Sequence, residues 1–325
     1  MARFAEATRV GFFLGLGGVW RERVIALSKR LCVSESLYWS SRFFVGMGGS
    51  MPKPQRFCIY CGGAGLTHEH LFADWLRAYI PRELSEHRSE SVIAFPHKTN
   101  RTLKRQTGDT HARRLRRVCE TCKLGWMSDL QEAAKPYLVP MLEGKSISLN
   151  RKAQKIVAAW VAMTTMTAEY LDDKMVAVPQ SERDYLRETS QAPKTWRIWI
   201  ARYNGAKSPK RLWHNAMALT DQKVEGAALY APAPSNTQTT AISLGDHLFI
   251  YVMSSEIAWN LIRRWRLPPT VSSLFRQICP AAAAKVVWPP GRPLTFPEAD
   301  FIADQFFNRL LRSARKAVLL TPPPG

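Results

Sequence analysis

The chain contains no run of the roughly 18 apolar residues that a membrane-spanning helix requires. The nearest approach, GFFLGLGGVW, is only ten residues long and is closed by Arg21 and Arg23. No membrane insertion is therefore expected. P-loop, dinucleotide-fingerprint and nucleophile-elbow patterns are also missing, which sets aside the commonest nucleotide-dependent and serine-hydrolase chemistries. There is no internal repeat and no low-complexity tract. Acids are scarce, with 26 Asp+Glu against 46 Lys+Arg and a formal charge of +20. Such an imbalance points to a polyanionic partner, nucleic acid first and an anionic membrane surface second. The attraction is to phosphate and carries no sequence preference of its own. Cysteine is sparse too, six in 325 residues. That is too few for a secreted disulfide scaffold of this length, and a reducing, cytoplasmic setting fits.

Four of those six cysteines fall in two CxxC pairs, Cys58-Ile59-Tyr60-Cys61 and Cys119-Glu120-Thr121-Cys122. Two such hooks can close one tetrahedral structural Zn²⁺ site. The alternative is a set of buried thiols, since cysteine is among the most buried residue types, but the tight spacing in both pairs argues against it. Cys32 and Cys279 remain as structural or incidental thiols.

The expected organisation has three parts. Residues 1–50 read as an upstream N-terminal extension, with Met47 or Met51 as an alternative start, and no function is assigned to them. Residues 51–145 form the cysteine module, and residues 146–325 form an α+β domain with an antiparallel sheet. Within the module, Phe57 to Tyr60 suggests a short strand, and Thr67 a cap for a helix through Leu71, Trp75, Leu76 and Tyr79 that ends at Pro81. Arg82 to Asp109 reads as an irregular insertion, and the helix opened by Trp126 is expected to stop at Pro136. Further on, Ala153 to Leu171 is apolar on several faces and reads as a central helix. Thr195 to Tyr203 alternates like a strand. Thr239 to Met253 reads as a hairpin turning at Gly245-Asp246, VVW near Trp288 as a strand, and Thr295 as the cap of a last helix.

Between the two knuckles lies Thr67-His68-Glu69-His70. A neutral imidazole there can take a proton from water, and the adjacent carboxylate can bind a hard divalent ion such as Mg²⁺ or Mn²⁺. Beside a phosphodiester, that pairing would support hydrolysis of a nucleic-acid backbone. The plainer reading is a surface histidine or a spare zinc ligand. The run Arg113, Arg114, Arg116, Arg117 and Lys123 leads into the second knuckle and is a candidate phosphate-contacting surface, against the ordinary reading of a solvated charged face. Trp126 reads as a packing residue, with base stacking as the functional alternative. His214 and His247 read as satisfied core or rim residues, while His97 and His111 flank the insertion.

Taken together, Cys58-x-x-Cys61, Glu69-His70-Leu71-Phe72-x-x-Trp75-Leu76 and Cys119-x-x-Cys122-x-x-Gly125-Trp126-Met127-Ser128-Asp129-Leu130 resemble bacterial and phage HNH endonuclease-like proteins. In that family the ββα-metal motif is built on a four-cysteine zinc knuckle. The resemblance covers residues 56–142 and implies an α+β chain: a zinc-knuckle ββα-metal module followed by a larger α+β domain. It implies a metal-dependent endonuclease acting on DNA, with His70 as the general base, Glu69 as ligand of a catalytic Mg²⁺ or Mn²⁺, and the four cysteines as structural zinc ligands. The sequence also departs from the pattern. Lys123 stands where Asn is usual after the second CxxC, Gln131 where Glu is expected, and Arg113 and Arg114 where the middle Asn belongs. No histidine follows to supply the third member, and Asp129 is the candidate to compensate as a metal ligand. The alternative is a zinc-knuckle nucleic-acid-binding protein that has lost hydrolysis. A fainter option is a basic surface that docks an acidic protein.

Overall fold

The computed structural model describes residues 25–27, 56–79, 86–94, 99–107, 114–205, 210–220, 235–255, 264–303 and 305. Apart from residues 25–27, the N-terminal extension lies outside them, as do Arg113, His97 and His111. The chain is a mixed α/β protein with a curled, mostly antiparallel sheet and a four-cysteine cluster. Its strands are β1 (Ile25–Leu27), β2 (Leu66–His70), β3 (Glu86–Ala94), β4 (Thr99–Thr107), β5 (Arg114–Cys119), β6 (Ile147–Asn150), β7 (Trp196–Asn204), β8 (Lys210–Thr220), β9 (Thr237–Leu244), β10 (Leu248–Ser255), β11 (Phe275–Cys279), β12 (Lys285–Trp288) and β13 (Leu294–Thr295). Its principal helices are α1 (Ser128–Leu142), α2 (Arg151–Ala168) and α3 (Gln180–Thr189).

The main sheet runs β1-β8-β9-β10-β7-β11, with the short β13 alongside the end of β7 as its parallel seventh strand. Alternation along β7 and β10 divides two apolar layers rather than separating core from water. Ile198, Ile200, Ile250 and Val252 face the layer that contains α2, whereas Trp199, Ala201, Phe249, Tyr251 and Met253 face a second layer with Trp265, Leu274 and Ile302. This double coverage explains why every residue of β9 and β10 is buried. The turn between them does fall at Gly245, whose φ of 58° is in the left-handed region that glycine enters without strain.

Helix α2 matches the expected central helix. Asn150 caps it, its Oδ1 accepting from Ala153 N at 2.9 Å. From Val157 to Ala168 every residue is buried. No helix among the described residues is long and apolar enough to cross a membrane.

Several local expectations give way. Thr67 lies in β2 instead of capping a helix, and only a short 3-10 turn, Asp74–Ala78, carries Trp75 and Leu76. Cross-strand pairing to β5 holds the expected cap and entry, Thr67 to His70, extended, which leaves too short a segment after it for a full helix. Phe57 and Cys58 form no strand and Ile59 to Cys61 is a turn, because the knuckle itself folds the chain back. The insertion contains the antiparallel pair β3–β4. Helix α1 continues through both Pro136 and Pro140 to Leu142. Pro136 is exposed, so its ring displaces no core contact, and the buried Leu130, Ala134, Leu138 and Met141 hold the helix together across the lost hydrogen bonds.

Candidate metal centre and the basic site beside it

Order in the cysteine module follows from β2 pairing with β5. That pairing sets Leu66 opposite Cys119 and His70 opposite Arg114, with a register shift where His68 faces both Arg116 and Arg117. The first knuckle turns just before β2, where Cys58 O accepts from Gly62 N at 2.9 Å and Gly62 takes a φ of 67°. The second turns just after β5, where Cys119 opens the single helical turn Glu120–Cys122. The two CxxC hooks therefore meet at the same end of a two-stranded sheet. The four Sγ atoms of Cys58, Cys61, Cys119 and Cys122 lie within 4.8 Å of one another. Tetrahedral Zn–S bonds of about 2.3 Å imply sulfur–sulfur edges of about 3.8 Å, so the spacing suits a structural Zn²⁺.

The thiols differ electrostatically. Burial acts to raise Cys58, yet backbone amides around the knuckles outweigh it and hold the group below the usual thiol range. Burial raises Cys61 and Cys122, so in the absence of metal the four sulfurs do not all ionise readily. A bound cation would reverse that and keep all four as thiolates.

From the second knuckle the chain enters a wide helical turn, Lys123–Met127, in which Gly125 leaves helical geometry at φ −90°, ψ −120° before α1 begins. Trp126 packs edge-on against Tyr60, with ring centroids 5.0 Å apart, which is the packing role expected for it. Lys123 reaches back over β2, and its Nζ donates to His68 O at 2.8 Å and lies 3.4 Å from Glu69 Oε2.

Glu69 is only 6% exposed. Burial raises its carboxyl above the usual range, and Lys123 opposes that shift. The next residue, His70, points to the other face of the strand, where Arg114 Nε lies 2.8 Å and a terminal nitrogen of Arg77 3.3 Å from its Nε2. A guanidinium has only donors, so Nε2 must accept and the imidazole is neutral with its proton on Nδ1. Burial and the neighbouring Arg114, Arg77 and Lys123 charges lower its pKa below the usual 6.5, against the pull of Asp74.

The remaining candidates separate. Arg116 is exposed, and its Nε donates to Leu66 O. Arg117 is held elsewhere, paired with Asp173 and lying over the Tyr170 ring. Asp129 is exposed on the first turn of α1. Among the described residues, the four cysteines are the only convergent group of three or more His, Cys, Asp or Glu ligands. The single buried carboxylate of Glu69, already beside an ammonium, does not fit a catalytic Mg²⁺ or Mn²⁺, which favours several oxygen ligands. His214 is satisfied by Thr240 and Met175 O, as expected of a rim residue. Arg77 was not foreseen as part of the site. It sits in the 3-10 turn after β2, and nothing in its spacing marks it as a neighbour of His70 and Arg114.

In comparisons with known proteins, the chain matches no family model, no curated protein and no solved structure.

Proposed function

We propose that this protein is a zinc-stapled nucleic-acid-binding protein laid out as a ββα-metal module, with Lys123 standing where a catalytic cation would be needed. The observation that carries this reading is the approach of Lys123 Nζ to within 3.4 Å of Glu69 Oε2. A fixed ammonium neutralises the one buried acid of the site without offering a water to activate. On the His70 face of the strand, Arg114 and the exposed Arg116, with Arg77 that also pairs with Asp74, offer cations suited to phosphate oxygens, in keeping with the net charge of +20. A resemblance to HNH endonucleases in residues 56–142 supports DNA as the first partner to test.

The endonuclease reading is the second one, and the neutral His70 at the end of β2 favours it. In the resting arrangement its Nε2 already accepts from Arg114. It becomes available as a base only if that guanidinium moves onto a phosphate.

The test uses the zinc-loaded full chain in two assays. Fluorescence anisotropy with duplex DNA should give an affinity that falls steeply between 50 and 200 mM salt, as expected on the order of several phosphate contacts. Plasmid nicking with Mg²⁺, Mn²⁺ or Ni²⁺ should be absent for both the native protein and His70→Ala. Nicking by the native protein that His70→Ala abolishes would establish the endonuclease instead. Failure to bind either DNA or RNA would remove both readings and leave an acidic protein as the partner.

A further inference from the structure

A second surface lies beside the first knuckle, distinct from the His70 face. It is an open cleft of about 600 Å³, bounded by Arg56, Phe57 and Cys61 on the knuckle side and by Tyr170, Gln180 and Asp184 on the other. That volume is within the ~300–1,000 Å³ range of sites that take a small planar ligand. Phe57 is unusual there: the residue is 52% exposed, although those that follow it, Cys58, Ile59 and Tyr60, are all buried. The knuckle fixes the backbone on which that ring stands, through Cys58 N donating to Gly63 O at 2.9 Å and Ile59 N donating to Arg117 O at 3.0 Å. An exposed aromatic on a fixed backbone gives a stacking surface at little cost in conformational freedom.

The charges around the cleft limit what it accepts. Arg56 is an exposed cation at its mouth. Arg117 also lines it, but that guanidinium is engaged by Asp173 and by the Tyr170 ring, over which Arg183 also lies. The Asp184 carboxylate accepts from Gln180 Nε2 at 3.1 Å. With Zn²⁺ bound, four thiolates leave a net negative centre at the Cys61 wall. The cleft interior is therefore poor for phosphate and suited to an uncharged aromatic body, with anionic groups kept at the Arg56 mouth.

We infer that this cleft is a nucleobase site in which one base of a single-stranded nucleic acid stacks on Phe57, with its backbone passing over Arg56. The inference rests on the nucleic-acid-binding reading and narrows it to strands whose bases are unpaired. A duplex hides its base faces, whereas a single strand can turn one outward onto an aromatic ring. Asp184 and Gln180 on the opposite wall then meet the polar edge of that base.

The experiment compares a 12-nucleotide single strand of mixed sequence with the same sequence as a duplex, using anisotropy at fixed salt. Native protein, Phe57→Ala and Phe57→Trp are all loaded with zinc. Phe57 is half in solvent, so both variants are expected to keep the zinc content and melting temperature of the native chain. Phe57→Ala should weaken the single strand at least about fivefold, the low end for loss of one stacked base, and leave duplex affinity unchanged. Phe57→Trp should retain or improve single-strand binding. Equal single-strand affinity for native and Phe57→Ala protein, or equal losses on single strand and duplex, overturns the inference while the nucleic-acid-binding reading stands. Binding of neither probe by native protein removes that reading, and this one with it.

Discussion

Glu69 and Lys123 show how far one residue can alter a site. With Glu69 nearly buried and Lys123 its nearby cation, Lys123→Ala should leave an uncompensated carboxylate and destabilise the fold by about 1–3 kcal/mol. Adding Glu69→Gln to that variant should restore much of the loss, and a double-mutant cycle by urea denaturation measures the coupling. An additive result would show that the pair is only incidental. His70 gives a pH signature of the opposite kind to a salt-bridged histidine. Burial and its arginine neighbours lower its pKa in the folded chain, so between the folded value and about 6.5 the unfolded chain binds more protons. Its contribution to stability is complete above pH 6.5 and is lost as pH falls through the folded value. The imidazole Cε1 proton should titrate by NMR with a midpoint below 6.5, and Arg114→Ala should raise that midpoint. A midpoint of 6.5 or higher in the native protein would rule the arrangement out. That Glu69, His70 and Lys123 lie close to the four-cysteine cluster was legible in the sequence from their places around the two CxxC pairs. The direct meeting of Lys123 with Glu69 was not, because it depends on β2 pairing with β5, which brings the residues after Cys119 back beside the first strand.

At the scale of elements, local signals read well and distant pairings did not. The β9–β10 hairpin was marked by Gly245-Asp246 and by apolar runs on either side, all within a few residues. Strand β2 reads locally as the start of a helix because its partner β5 lies more than forty residues on, as the 44-residue separation of His70 and Arg114 shows. A strand stabilised by so remote a neighbour carries little local signature. The α2 cap is open to a simple check. Replacing Asn150 with alanine removes the acceptor of the Ala153 amide and should cost about 1 kcal/mol in chemical denaturation. Pro136, exposed within α1, permits a prediction of opposite sign. Pro136→Ala restores a backbone donor and removes a steric clash without opening a cavity, so the melting temperature should rise. A fall would mean that the bend it imposes is needed to seat Leu138 and Met141.

Across the molecule, the cysteine module and the helix that follows share one apolar core, which runs from Cys58 and Tyr60 through Leu138 and Trp160 to Ile250 and Trp288. Tyr60, held between the first two cysteines, donates to Met163 O of α2 at 2.9 Å and lies 3.0 Å from Thr167 Oγ1. Disturbing the knuckle should therefore loosen the central helix. Chelation of the metal, or Cys58→Ser, is expected to lower one cooperative calorimetric transition by several degrees instead of splitting off a separate early one. Two resolved transitions would show that the module melts alone. The long excursion from β2 to β5 has a further consequence. Its two ends are joined both by strand pairing and by sulfurs contributed from either side, so the intervening chain is a loop closed at its base. Closure entropy rises only logarithmically with loop length, by about 0.6 kcal/mol per doubling. The segment that carries β3 and β4 is thus the place where this architecture can accept lengthening, shortening or replacement by a foreign peptide, a natural port for engineered insertions.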